Sequence, residues 1–325
     1  MGNPRMNRRA FLASTMLATP AFAQSWDATR PVRFVVGYTP GGSFDLVGRA
    51  LAEGIQQRLG NPTAVENRPG AGGSIGSEVV ARAAPDGTTL LIGGAGTHGV
   101  TPAVRRNLPF DTARDFTAVA RIAEFANVMV VKADNPARTV QEFIEQSRAK
   151  PRGITFGSQG AGTSIHLTGE LFRLRTGLNM THVPYRGGAQ VQIDINAGLV
   201  DVMFDNLPSV LGQIQSGNMR ALAVTSPARV EALPNVPTMA EAGMPDFVVT
   251  SWVGVFGPAR MDPALVERLS GVIRETALSA EGQRRLKALG AEVAVAGPAE
   301  FDAAWRADMA RWQQVVRDAR VEVTD

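Results

Sequence analysis

Apolar residues fall along this 325-residue chain in short runs that alternate between two periods. VRFVVGY (32–38) is a β-branched run of the kind that fills a buried strand. Directly after it, Val47, Leu51, Ile55 and Leu59 recur every fourth residue, the spacing of one helical face, and Gly60 stands where that helix would stop. The exchange repeats downstream. TAVENRP (63–69), TLLIGG (89–94), VMVVKAD (128–134), ITFGS (154–158), THVPY (181–185), LVDVMFDN (199–206) and ALAVTS (221–226) read as strands. SEVVARAA, VQEFIEQSRAK, HLTGELFRLRTG and SVLGQIQSG, the last with Gly217 as its cap, read as helices. Strands alternating with helices predict an α/β fold of βαβ units and mostly parallel sheet.

Two features break the rhythm and predict two lobes. The proline-rich span 227–247 reads as an irregular connection carrying a short helix. The long apolar run VVTSWVGVFGPA (248–259) follows, and amphipathic helices run from there to the end. A late extended run, matched midway by VMVVKAD, lets the chain pass between lobes twice. The expected division is one lobe from 24–126 plus 250–325 and a second from 127–249, with a ligand cleft between them.

The first 23 residues change how the composition reads. Arg5, Arg8 and Arg9 precede a short apolar stretch that closes on Ala21-Phe22-Ala23. This is the plan of a secretory signal peptide cleaved near Ala23, and it is too short to span a bilayer. The Asn7-Arg8-Arg9-Ala10-Phe11-Leu12 run resembles a twin-arginine signal, with the general secretory route as the alternative. Removing that segment takes the 33 basic residues to 30, equal to the 30 acids, so the formal charge falls from +3 to zero. The expected mature chain therefore carries no basic excess for nucleic acid or an anionic membrane. There is no cysteine, hence no disulfide or thiolate metal site. Beyond the signal, no stretch of 18 consecutive apolar residues occurs, so no insertion of the mature chain into a membrane is expected.

Three loops behind strands carry the candidate chemistry: TPGGSFD (39–45), GGAGTHG (93–99) and GSQGAGTS (157–164). Glycine lets backbone approach a ligand closely, and a helix start offers unpaired N–H groups at the positive end of its dipole. Such loops gather at the carboxyl ends of strands in open α/β sheets, where ligands bind. Ser43 and Thr163 occupy expected N-cap positions, which would commit their hydroxyls to the helix. His98 lies in a loop of the expected cleft. Asp45 suits the first turn of a helix, and its own loop could use its carboxylate. Asp205 ends a strand where it could line the cleft or meet a ligand amine.

Competing chemistries are weaker. GAGGSIG (70–76) lacks the third glycine of a dinucleotide fingerprint, since Ile75 stands there, and no Gly-Lys-Ser/Thr supplies a phosphate loop. Gly72-Gly73-Ser74-Ile75-Gly76 matches a nucleophile elbow, yet Arg68-Pro69-Gly70-Ala71 is no buried strand. An exported serine hydrolase using Ser74 is the rival from another class. His166 and Glu170 share a helical face without a third ligand, so neither metal nor cofactor is expected.

The blocks PGGSFD, VENRPGAGGSIGSEVVARAAPDGTTLL, FGSQGAGTSIHLTGELF, HVPYRGG, VDVMFDN and PTMAEAG occur in an order that resembles the Bug family. These are the periplasmic substrate-binding proteins of tripartite tricarboxylate transporters. The resemblance spans nearly the whole mature chain. It implies a two-lobed periplasmic-binding-protein fold of type II-like form, a small carboxylic acid as ligand, membrane transporter subunits as partners, a periplasmic location and no catalysis. It places the ligand carboxylate between loops matching Tyr38, Gly41, Gly42, Ser43 and Asp45 and Ser158, Gly160, Ala161, Gly162 and Thr163. Further lining would come from Thr97, His98, Tyr185, Arg186 and Asp205. A monomer is expected, and a receptor serving only a signalling partner is the alternative role. Phe44 stands where many relatives carry a small or polar residue; it is expected to staple its helix to the core rather than face the ligand.

Overall fold

The structure is a computed structural model that describes residues 29–318. The expected export signal and its cleavage point lie outside the described residues. The chain begins with β1 (Val32–Val36), α1 (Ser43–Leu59) and β2 (Thr63–Asn67). A short 3-10 turn (Ala71–Gly73) then leads to α2 (Ser74–Ala81) and β3 (Thr89–Gly94). A π-helical turn (Ala95–Val100), α3 (Thr101–Val104) and the long β4 (Phe116–Lys132) complete the first part. Then come α4 (Val140–Arg148), β5 (Ile154–Ser158), α5 (Ser164–Thr176), β6 (Met180–Pro184), α6 (Gly188–Ala197), β7 (Val202–Asn206), α7 (Leu207–Gln215) and β8 (Met219–Val224). The chain closes with β9 (Thr250–Pro258), α8 (Pro263–Leu278), α9 (Ala280–Ala288), β10 (Glu292–Ala296) and α10 (Pro298–Asp318).

The ten strands run in the order β2-β1-β3-β9-β4-β7-β5-β6, with β8 and β10 both added to β4. β4 is the shared member: its early residues pair with β9 and β10, and its last six, from Asn127, pair with β7 and β8. Apolar packing follows the same division. One core joins Phe34, Leu51, Leu90, Val119, Val253 and Ile273. Two others lie on opposite faces of the second sheet region, around Phe156, Phe172 and Phe204 and around Val128, Ile195 and Val210. The result is a two-lobed mixed α/β fold whose lobes share β4.

Some predicted elements needed correction. The sheet is not mostly parallel, because every pairing that involves β4 or β9 is antiparallel. The parallel pairs are β1 with β2 and β3, and β5 with β6 and β7. The short helix expected within 227–247 is a series of turns, broken by Pro227, Pro234, Pro237 and Pro245. The first half of β4 was not anticipated, nor were α6 and β10.

The crossing between lobes is fastened by one side chain. Thr225, fully buried, accepts the Asn127 N–H at Oγ1 (3.0 Å) and offers its hydroxyl to the carbonyls of Asn127 (3.1 Å) and Val249 (2.5 Å). Its backbone also bonds both segments, with Thr225 N donating to Asn127 O and Val249 N to Thr225 O.

Candidate functional site

Glycines set the positions of the loops at the first lobe's strand ends. A Cβ on Gly37 would meet the Gly73 carbonyl at 2.6 Å, and one on Gly76 would meet Gly37 Cα at 2.7 Å. This contact, available only without side chains, draws the 70–76 cluster against the end of β1. Tyr38 then lies buried, stacked on Phe44 with ring centroids 5.1 Å apart, and its Oη reaches Gly72 O at 3.3 Å. Burial raises the Tyr38 phenol above its ordinary range, so it stays neutral. Phe44 meets Phe125 edge-on at 6.2 Å and is 3% exposed, which makes it the staple and not a ligand contact.

Gly41, with φ of 80°, turns the chain into α1. The N-cap of α1 is Gly42 and not Ser43, and no side chain caps it. Ser43 is the first helical residue, and its buried Oγ has no hydrogen-bond partner. Among the described residues the Ser43, Phe44 and Asp45 amides meet no acceptor at this helix start. The Asp45 carboxylate is spent on the loop itself. It accepts from Gly41 N, Arg49 Nε and Asn67 Nδ2, each at 2.9 Å. Burial acts to raise its pKa, but the bonds from Arg49, Gly41 and Asn67 and the Arg49 charge outweigh it and leave the group below its ordinary value. Asn67, which sequence reasoning missed, also donates to Tyr38 O at 3.1 Å and so holds both ends of the loop.

His98 contradicts the expectation that it lines the cleft, whereas Thr97 is buried with its Cγ2 against Gly73 of the 70–76 cluster. The π-helical turn rotates His98 inward, where its ring is fully buried, stacks on Phe256 at 4.2 Å and meets Phe116 edge-on at 4.6 Å. Its Nδ1 lies 2.9 Å from Thr97 Oγ1, which also accepts Gly94 N–H at 3.0 Å. Burial drives the imidazole down to about 3, so it is a neutral core residue.

In the second lobe, Thr163 is the N-cap of α5, as its position predicts. It accepts His166 N–H and donates to Gly160 O at 2.9 Å. Ser158 Oγ receives the Gly160 amide at 3.1 Å, and His166 Nδ1 receives the Gly162 amide at 3.1 Å. Among the described residues, the Ala161 and Thr163 amides are left without acceptors. Asp205 is fully buried beneath the loop and does not face a cleft. It accepts from Gln192 Nε2 (3.0 Å), Gln159 Nε2 (3.3 Å) and Asn206 N (2.8 Å). Burial raises its pKa against those bonds. Gln159, also missed, links this acid to the loop. Tyr185 is half-buried; its Oη donates to Asp194 at 2.5 Å and its amide to Ser158 O at 2.9 Å. Arg186 is exposed.

The chain then enters α6 through Gly187, again with no capping side chain. Here the lobes touch. A Cβ on Gly187 would overlap Thr39 Oγ1 and lie 2.8 Å from its Cγ2. Thr101 Oγ1 lies 3.4 Å from both Gly72 O and Gly162 O, so one hydroxyl spans the two lobes. Gly72 faces the Ala161 carbonyl, and Leu167 packs with Val100, Val104, Trp312 and Val316. The structure thus brings loop 38–45, the 70–76 cluster, loop 158–163 and the start of α6 together. It leaves the His98 and Phe44 side chains outside that junction, whereas buried Asp205 stands against the start of α6, its Oδ2 3.4 Å from where a Cβ on Gly188 would lie.

Ser74 begins α2 with a buried Oγ that has no partner. All three histidines are bonded elsewhere, to Thr97, Gly162 and Ser158, so no base stands at hydrogen-bond distance from it. Among the described residues no group of three or more His, Cys, Asp or Glu is disposed to hold a metal ion. No described helix is long and apolar enough to cross a membrane.

The family profile described as "Tripartite tricarboxylate transporter family receptor" (TctC) matches residues 47–320. Protein BugT of Bordetella pertussis (strain Tohama I) is 35% identical over 309 residues, covering 95% of this chain and 94% of BugT. The solved structure of the periplasmic binding protein BugD is similar with a TM-score of 0.86 and 33% identity, covering 90% of this chain and 98% of BugD. So is that of R. palustris Rpa4515 with adipate, with a TM-score of 0.86 and 34% identity over 90% of this chain and 97% of that one.

Proposed function

The chain belongs to the tripartite tricarboxylate transporter receptor (TctC) family, and from that premise we propose that it is an exported receptor for a small carboxylic acid. The ligand lies in the cleft between a lobe of residues 24–126 plus 250–325 and a lobe of residues 127–249. The loaded receptor passes its ligand to the membrane subunits of a tripartite tricarboxylate-type transporter. Its place of work is the periplasm, reached by way of the signal peptide.

One observation carries the reading. Uncapped helix starts from opposite lobes, α1 at Gly42 and α6 at Gly187, flank the contact of Thr39 with Gly187. Amides so placed are donors for an anion, and their helix dipoles favour negative charge. The Ala161 and Thr163 amides add to the second-lobe side. Asp45 and Asp205 do not oppose a carboxylate, because their oxygens already take bonds from the protein. A hydrogen bond to a charged group contributes about 1.5–3 kcal/mol, so three or four approach the roughly 8 kcal/mol of a micromolar complex, before ordering costs are subtracted. Arg186 is exposed at the rim, where it adds attraction at long range.

A thermal-shift and calorimetric screen of carboxylic acids tests the proposal, starting from adipate, the molecule bound by Rpa4515. At 100 times its dissociation constant a ligand stabilises the fold by about 2.7 kcal/mol. A screen in which only sugars, amines or phosphate esters raise the melting temperature overturns the assignment.

A further inference from the structure

Two histidines that the amide cleft does not use sit directly beneath it. His166 on α5 and His182 on β6 stack with ring centroids 3.9 Å apart, and Phe156 on β5, the register partner of His182, stacks on both. Their polar edges face one loop. His166 Nδ1 accepts the Gly162 N–H at 3.1 Å, and His182 Nε2 lies 2.7 Å from Ser158 Oγ, which accepts the Gly160 N–H at 3.1 Å. Loop 158–163 therefore hangs from two imidazoles.

The two bonds respond differently to a proton. An Nδ1 that accepts an N–H must be bare, so His166 is neutral with its hydrogen on Nε2. Protonating it sets N–H against N–H, and the Gly162 amide loses its acceptor. His182 tolerates a proton, because Nε2–H can donate to Ser158 Oγ while the Ser158 hydroxyl turns to Gly160 O, 3.0 Å away. We propose that His166 and His182 are positioning residues of the ligand loop, and that the loop keeps its binding form only while His166 is neutral, so that acidification releases the ligand. This rests on the receptor reading of the same cleft.

The charged neighbours of the pair are few. On α5 Glu170 lies 3.8 Å from His166 Nε2 and is itself held by Arg173 at 2.7 Å; β6 brings His182, while β5 brings Phe156 and Ser158, which carry no charge. From the other lobe, Val104 faces Gly162. Burial lowers both imidazoles, His182 also feeling His166, whereas Glu170 pulls His166 back up. His166 therefore takes its proton below its ordinary value of 6.5.

The experiment has one arm without ligand and one with it. In the ligand-free, isotopically labelled protein, the His166 ring and the Gly162 amide are expected to titrate together in NMR spectra, with one midpoint below 6.5. In the second arm, adipate affinity is measured by calorimetry from about pH 7.5 to about pH 5, and the His166→Asn variant corrects for protonation of the ligand's own carboxylates at the acid end of that range. His166→Asn keeps an acceptor near Nδ1 without a titrating group, and His166→Phe keeps the stack without the acceptor. Relative to His166→Asn, the wild type should lose about tenfold in affinity per pH unit once His166 titrates. His166→Phe should bind about tenfold more weakly at every pH while melting as a folded protein, the loss of one hydrogen bond. A Gly162 amide that ignores the His166 titration, or a His166→Asn profile identical to that of the wild type, overturns the inference. Failure of every carboxylic acid to bind at neutral pH defeats the receptor reading, while the ligand-free titration still decides the role of the histidines.

Discussion

Gly187→Ala isolates closure from folding. Gly187 has φ of −170° and ψ of 160°, an extended conformation that alanine adopts without strain. What forbids a side chain is the opposite lobe, since the new Cβ would overlap Thr39 Oγ1 and stand 2.8 Å from its Cγ2 and 3.0 Å from its Cβ. Thr39 is backbone-close on these contacts and cannot clear all of them by rotating its hydroxyl. Overpacking of this kind costs about 1–3 kcal/mol. If the contact belongs only to the closed form, the cost falls on ligand binding and weakens it by roughly 5- to 150-fold, at 1.4 kcal/mol per factor of ten. Isothermal titration calorimetry gives the affinity, and the melting temperature of the ligand-free protein gives the fold. The expected outcome is weakened binding with an unchanged ligand-free melting temperature. Thr39→Gly in the same chain should restore most of the affinity, because the two positions then couple. Unchanged affinity in Gly187→Ala, or a loss that Thr39→Gly does not repair, refutes closure through this contact.

Other expectations follow from the same geometry. Thr225→Val removes a buried hydroxyl from both crossing segments, leaving the Asn127 amide without its Oγ1 acceptor; denaturant unfolding should show a loss of about 1–3 kcal/mol. Ser74→Ala deletes a buried hydroxyl that has no partner, so it should leave stability within about 0.5 kcal/mol and reveal no ester or amide turnover in the parent. Acid should weaken the fold early. His98 and His182 are held down to about 3 from 6.5, so the unfolded chain binds protons that the fold excludes. Their contribution is complete above 6.5 and is lost as pH falls from there toward the folded values, at about 1.4 kcal/mol per pH unit from fully buried His98 and by less from His182, which solvent partly screens. Asp205, raised by burial, acts in the opposite sense. His98→Phe, compared with the wild type by urea unfolding, should flatten the profile; equal slopes in the two proteins would contradict the assignment.

What the sequence made legible was whatever shows as contrast along the chain. A β-branched strand followed by glycines and a four-residue apolar repeat located β1, its loop and α1, and the same contrast located β5 and loop 158–163. The first half of β4 was hidden because Arg121 and Glu124 interrupt its apolar run; both are partly exposed and pair with each other. α6 was hidden because Val191 and Ile195 are buried while Ile193 is 65% exposed, so its apolar residues do not share one face. Side-chain direction was the harder loss. His98 stands in a loop, the usual place for a functional histidine, but one π-helical turn delivers it to an aromatic core assembled from Phe116, Phe256 and Trp305. Nothing local in AGTHG signals that. The commitments of Asp45 to Asn67 and of Asp205 to Gln159 and Gln192 likewise depend on partners 22, 46 and 13 residues away.

A crystal structure of the receptor with its carboxylic acid bound tests the central claim most directly. The account predicts carboxylate oxygens within about 3 Å of amides at the starts of α1 and α6, directly or through one water, with Thr39 against Gly187. A carboxylate held only by side chains, or lying away from both helix starts, would contradict it.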